Sequence, residues 1–201
     1  MRTDSKADPS KAVPAILALW LVAALAVGAS GRLEALRPPA PQLVLLALTA
    51  AAIVATIAVP AIRAWAWSVD LRALVALHLS RFVGAWFLVL YRRGELPYAF
   101  AVPGGWGDIL VATLALVLLL WGPPTAPSRR RAYLVWNLLG LADILFVVAT
   151  AARLGLADPD SMRALLRLPL SLLPTFLVPL VIASHVLIAR RLAGPNARSP
   201  D

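Results

Sequence analysis

The chain has 201 residues, 61% of them hydrophobic and 14% charged, with a net charge of +9 and no cysteine, and its mean hydropathy is +0.81. Soluble domains run nearer about 45–50% apolar and about 25% charged, so the balance predicts an all-α polytopic membrane protein. The missing thiols exclude disulfides, thiolate catalysis and Cys-ligated zinc or iron–sulfur clusters. The positive charge reads as Lys and Arg flanking membrane helices; no basic stripe interleaved with aromatics marks a nucleic-acid surface.

Six apolar segments are predicted, at 13–30, 42–62, 71–91, 96–121, 132–152 and 168–189, each near the ~20 residues a spanning helix needs. They form one transmembrane domain over 12–192, between polar tails at 1–11 and 193–201 that read as disordered. The first segment, with its basic start and VGASG end, resembles a signal peptide. Five further spans follow, and Pro39 and Pro41 open a second hairpin arm, so an uncleaved helix is expected. In the second, Ala47, Ala51 and Ala55 make a small-residue face suited to close packing.

The third segment carries His78 and Arg81, three apart on one face, with Gly84 another three on. The fourth holds AVPGGWGDIL at 101–110 ahead of a short apolar run. Two readings stand. Residues 96–121 form one span broken at Pro103 and the glycines, with Asp108 heading the second half. Alternatively, 93–107 is an external loop and Asp108 an ordinary N-cap. The fifth repeats the three-residue spacing with Asn137, Gly140 and Asp143, and ADILFVVATA faintly echoes GDILVATLAL, too briefly to make a repeat. The sixth carries Pro169, Pro174, Pro179 and His185. Its prolines suit a kinked packing helix, or else a hinge or cavity wall.

The N-tail, second and fourth linkers and C-tail hold 11 Lys and Arg, against 7 in the other linkers. More positive charge inside places both termini in the cytoplasm. Trp65, Trp67, Trp121, Tyr133 and Trp136 are assigned to one interfacial belt, and Trp86, Tyr91, Tyr98 and Trp106 to the other. Arg outnumbers Lys 17 to 2, a hint of a GC-rich bacterial genome and hence of a bacterial inner (plasma) membrane.

Ionisable residues inside spans are costly and face the bundle interior. Counted from the cytoplasmic ends, Arg81, Asp108 and Asp143 fall about 13–20 Å deep, and His78, Asn137 and His185 about 7–10 Å. Segments three to six thus offer two polar layers, with one Arg against two Asp, while segments one and two pack outside. An ion pair fixing helix register is the bland account of Arg81; a proton relay or cation path is the functional one. His78 and His185 could alternatively flank a haem. No HExxH, GxSxG, Walker or GxGxxG pattern is present.

Arg81-x-x-Gly84-x-x-Phe87-Leu88, Leu96-Pro97-x-x-Phe100, Gly105-x-Gly107-Asp108-Ile109, Trp136-Asn137-x-x-Gly140-Leu141, Pro174, Val178-Pro179 and His185 together resemble a set of uncharacterised bacterial multi-pass membrane proteins. The resemblance covers about half the chain and implies no activity. In those relatives Gln stands at the position of His78, which weakens a bis-His haem and favours Arg81, Asp108, Asn137, Asp143 and His185 as the site. The leading expectation is binding or passage of a small solute, proton or cation, with the bilayer as the surroundings and no resident cofactor or metal. A structural or assembly role, with a partner the sequence does not name, and a membrane enzyme or haem b redox protein are the alternatives.

Overall fold

The computed structural model describes residues 9–194. Eight α-helices follow in order: α1 (Pro9–Ala29), α2 (Ala40–Ala58), α3 (Pro60–Ser68), α4 (Leu71–Leu77), α5 (Gly84–Arg92), α6 (Tyr98–Trp121), α7 (Pro127–Ala157) and α8 (Val178–Ala193). A 3-10 helix, His78–Val83, joins α4 to α5; another spans Pro159–Leu166, and a π-helical turn, Leu173–Leu177, leads into α8. Among the described residues there is no strand. Six stretches are long and apolar enough to cross a membrane: α1, α2, Leu71–Arg92, α6, α7 and Leu173–Ala193. The protein is an all-α, multi-pass membrane bundle.

Several boundaries differ from the sequence reading for local reasons. The second span ends at Ala58 rather than 62, because Pro60 cannot continue the hydrogen-bond ladder and instead starts α3. The last span begins at Leu173, so Pro169 lies in the turns before it. Residues 1–8 and 195–201 of the expected tails lie outside the described residues, whereas Pro9–Lys11 and Ala193 are helical.

Neither reading of AVPGGWGDIL holds. Residues 98–121 form one continuous α-helix, neither broken at Pro103 nor looped out before Asp108. Pro103 is its sixth residue, so the bond it forfeits lies near the helix start. In an apolar solvent, keeping every other backbone group paired within the helix outweighs the weak propensity of three glycines. The turn before α6 is made by Gly94 at φ +74°, and α6 stops at Gly122, φ +102°, conformations that glycine adopts without strain.

The core lies among Leu71–Arg92, α6, α7 and α8. One apolar cluster joins Val75, Val111, Ala115, Tyr133, Trp136 and Ile188. A second, toward the other end, joins Phe87, Leu90, Phe100, Ala101, Val147 and Met162. Tyr133 and Trp136 are therefore core residues, not belt residues: Tyr133 donates to the carbonyls of Leu118 and Gly122, and Trp136 Nε1 to that of Val111. The two outer helices bury little. α2 has no buried residue and rests on α8 through Ile53, while Ala47 and Ala51 of the expected packing face are exposed. α1 is pinned by Trp20, whose Nε1 donates to Thr175 O at 2.9 Å and whose ring meets Phe176 edge-on.

Candidate functional site

The 3-10 segment His78–Val83 interrupts the third span at the depth where its two ionisable residues sit. With about three residues per turn it nearly eclipses side chains three apart, and so directs His78 and Arg81 into the same interior. Both are buried, His78 at 0% and Arg81 at 3% exposure.

All three nitrogens of Arg81 are engaged. Its Nε donates to Asp108 Oδ1 at 2.6 Å, its Nη1 to Gly140 O at 2.9 Å and its Nη2 to Asp143 Oδ2. One guanidinium thus ties the third span to α6 and α7. The two carboxylates are not equivalent: the Asp108 side chain is 5% exposed and that of Asp143 18%. Taken as ionised, the group of three carries one negative charge in excess.

Glycines make this geometry possible. A Cβ at Gly84 would collide with Gly105 O and lie 2.7 Å from Asp108 Cβ; one at Gly105 would lie 2.7 Å from Gly84 O. A Cβ at Gly107 would fall on the Asp143 carboxylate. The glycine-rich stretch thus lets α5 and α6 touch backbone to backbone and clears room for the second carboxylate. The echo of Asp-Ile-Leu at 108–110 and 143–145 places both carboxylates against one arginine.

The second layer is built on α7 and α8. Asn137 Nδ2 donates to His185 O at 3.1 Å, which turns its Oδ1 toward His185 Nδ1 at 2.9 Å. His185 therefore carries its proton on Nδ1 and presents Nε2 as a bare acceptor, buried and without a partner. Ser184 donates to Val181 O, so His78 Nε2, 3.0 Å from Ser184 Oγ, is a donor and its Nδ1 is likewise bare and unpartnered. The two rings lie 4.3 Å apart, centroid to centroid, and His78 packs edge-on against Trp136. Gly140 joins the layers: its carbonyl takes the Arg81 bond, and a Cβ on it would sit 2.7 Å from His185 Cε1. All six polar residues singled out in the sequence converge here. Ser184 was missed, since a lone serine beside a histidine carries no signal, and so were the glycine contacts, whose partners are remote in sequence.

A family model described as a domain of unknown function (DUF8737) matches residues 38–193. The chain belongs to this family. No curated protein and no solved structure matches it. The DUF8737 match takes in α2 through α8, and with them every residue of both polar layers.

A haem between two axial imidazoles needs two metal–nitrogen bonds of about 2 Å, which set the ring centroids about 6 Å apart. His78 and His185, at 4.3 Å and tilted by 51°, leave no room for the macrocycle, so this pair as folded does not fit that group. Among the described residues no three His, Asp or Glu cluster in a way that could hold a metal ion.

Proposed function

We propose that this DUF8737 protein sits in a bacterial plasma membrane with both termini in the cytoplasm and binds and passes a proton or small cation at the Arg81/Asp108/Asp143 site. The observation that carries this reading is the charge balance: one buried guanidinium faces two carboxylates within the spanning region. An uncompensated charge in that setting costs several kcal/mol, so the second carboxylate calls for a proton or a cation. Asp143, the more exposed, is the loading group; Asp108 is the inner acceptor and Arg81 the counter-charge. Asn137 and His185 act as gate residues, with His78 in a secondary place, because the bare Nε2 of His185 lies against Gly140, whose carbonyl holds Arg81. The cavity that reaches Arg81 and Asp108 is only about 70 Å³, a size that favours an ion or proton over a bulky solute.

The test is flux into proteoliposomes carrying an internal pH dye or a sodium tracer under an imposed potential. Wild-type vesicles should exceed empty ones, and Asp143→Asn should return the rate to the empty-vesicle value. Equal flux for wild type and Asp143→Asn counts against the proposal.

A structural role is the second reading, favoured by the engagement of every Arg81 nitrogen with a neighbouring helix. It predicts that replacing Arg81, Asp108 and Asp143 together by well-packed apolar residues leaves the fold and any partner complex intact.

A further inference from the structure

Two cavities meet between α2 and α7. The outer, about 150 Å³, has Leu45, Leu46, Val148, Gly155 and Met162 among its walls. The inner, about 70 Å³, ends on Arg81 and Asp108. Leu45, Val148, Ala151, Leu165 and Pro174 line both, so the two lie side by side, an adjacent pair forming a path that leads from the helix ends toward the polar site across those shared walls. Apolar cavities of about 150 Å³ stay dry and take up hydrocarbon guests. Space of this size and lining suits a length of alkyl chain.

The outer end is chemically different. Arg37, Arg163 and Arg167, all exposed, each directly follow a lining residue, Leu36, Met162 or Leu166. The carboxylates on the same segments are Glu34, which pairs with Arg163 and Arg167, Asp160, which pairs with Arg163, and Asp158, next to the lining residue Pro159. Arg37 has no carboxylate partner among the described residues, and segments 31–38 and 152–167 together carry five arginines against three carboxylates, so this end is positive. Inside it, Gln42 Oε1 is buried without a partner, an acceptor awaiting a donor. Basic rims beside clefts between membrane helices recognise anionic headgroups.

We propose that this path is a binding site for an anionic, hydroxyl-bearing phospholipid of the surrounding bilayer. One acyl chain enters between α2 and α7, the phosphate meets Arg37 and Arg167, and a headgroup hydroxyl donates to Gln42. The inner end of this site adjoins the proposed ion site at Arg81 and Asp108, but the test reads lipid labelling and does not require flux.

The experiment uses the full chain in phosphatidylcholine vesicles containing a trace of phosphatidylglycerol with a photoactivatable diazirine on one acyl chain. Crosslinks are mapped by peptide mass spectrometry. They should concentrate on Leu45, Val148, Ala151 and Leu165, and unlabelled phosphatidylglycerol should compete about fivefold better than phosphatidylcholine, as one arginine without a carboxylate partner, Arg37, implies at a lipid surface. Ala151→Leu should fill the path and suppress the label. Because that variant can fail to fold, Arg37→Gln with Arg167→Gln at the exposed rim gives a second check: the preference for phosphatidylglycerol should vanish. Label spread evenly over outward residues such as Leu19 and Leu43 would overturn the site. Equal competition by the two lipids would overturn its anionic headgroup.

Discussion

Replacing Gly84 by alanine tests the close approach on which the polar site depends. In a helix without neighbours the change would stabilise by about 1 kcal/mol. Here the added Cβ meets Gly105 O and lies 2.7 Å from Asp108 Cβ. Neither contact can rotate away, and Gly84 O is equally close to Gly105, so α5 and α6 must separate as units. Overpacking costs about 1–3 kcal/mol, and rigid contacts belong at the upper end. The net loss should be about 2 kcal/mol, which lowers the unfolding midpoint by about 4–8 °C for a chain of this size. Gly104→Ala is the internal control: its Cβ would meet only Val147 Cγ2 at 3.3 Å and Cγ1 at 4.0 Å, a side chain able to shift. It should melt within about 0.5 kcal/mol of wild type or slightly above it. Thermal unfolding of the purified protein in dodecyl maltoside, followed by tryptophan fluorescence, compares the three. A Gly84→Ala midpoint at or above that of Gly104→Ala would refute the reasoning.

Arg81→Met leaves two buried carboxylates without their shared partner; a loss of about 3–5 kcal/mol is expected, read as a collapse of detergent-stable monodisperse protein on gel filtration. His185→Leu strands Asn137 Oδ1 and should cost about 1–3 kcal/mol in the same melting assay, with His185→Gln recovering part of it. Tyr133→Phe removes a hydroxyl that serves two carbonyls at the end of α6; about 1–2 kcal/mol is expected, together with faster amide exchange around Leu118–Gly122.

The spans were legible because a bilayer demands long apolar runs, and the two polar layers because rise per residue converts sequence position into depth. Arg81 meeting both Asp108 and Asp143, and His78 meeting His185, agree with those depths. The stretch 101–108 was misread because its glycines were weighed as turn formers. Their contacts are with Gly84 and Asp143, and such pairings across helices leave no local mark. Tyr133 and Trp136 were assigned to a belt by type alone; only the packing of α6, α7 and α8 shows that their polar atoms find carbonyl partners inside. Pro60 was overlooked inside an apolar run, although a proline there is a legible stop.

The most direct measurement of the central claim is labelling of the purified protein by dicyclohexylcarbodiimide, which attacks protonated carboxyls in apolar surroundings, with peptide mapping of α6 and α7. If the excess carboxylate exchanges a proton or cation, Asp143 should be labelled in buffer free of small cations and protected as pH or sodium is raised. If neither Asp108 nor Asp143 reacts under any of these conditions while the protein remains folded, both are permanently ionised partners of Arg81, and the proposed site is a structural tie.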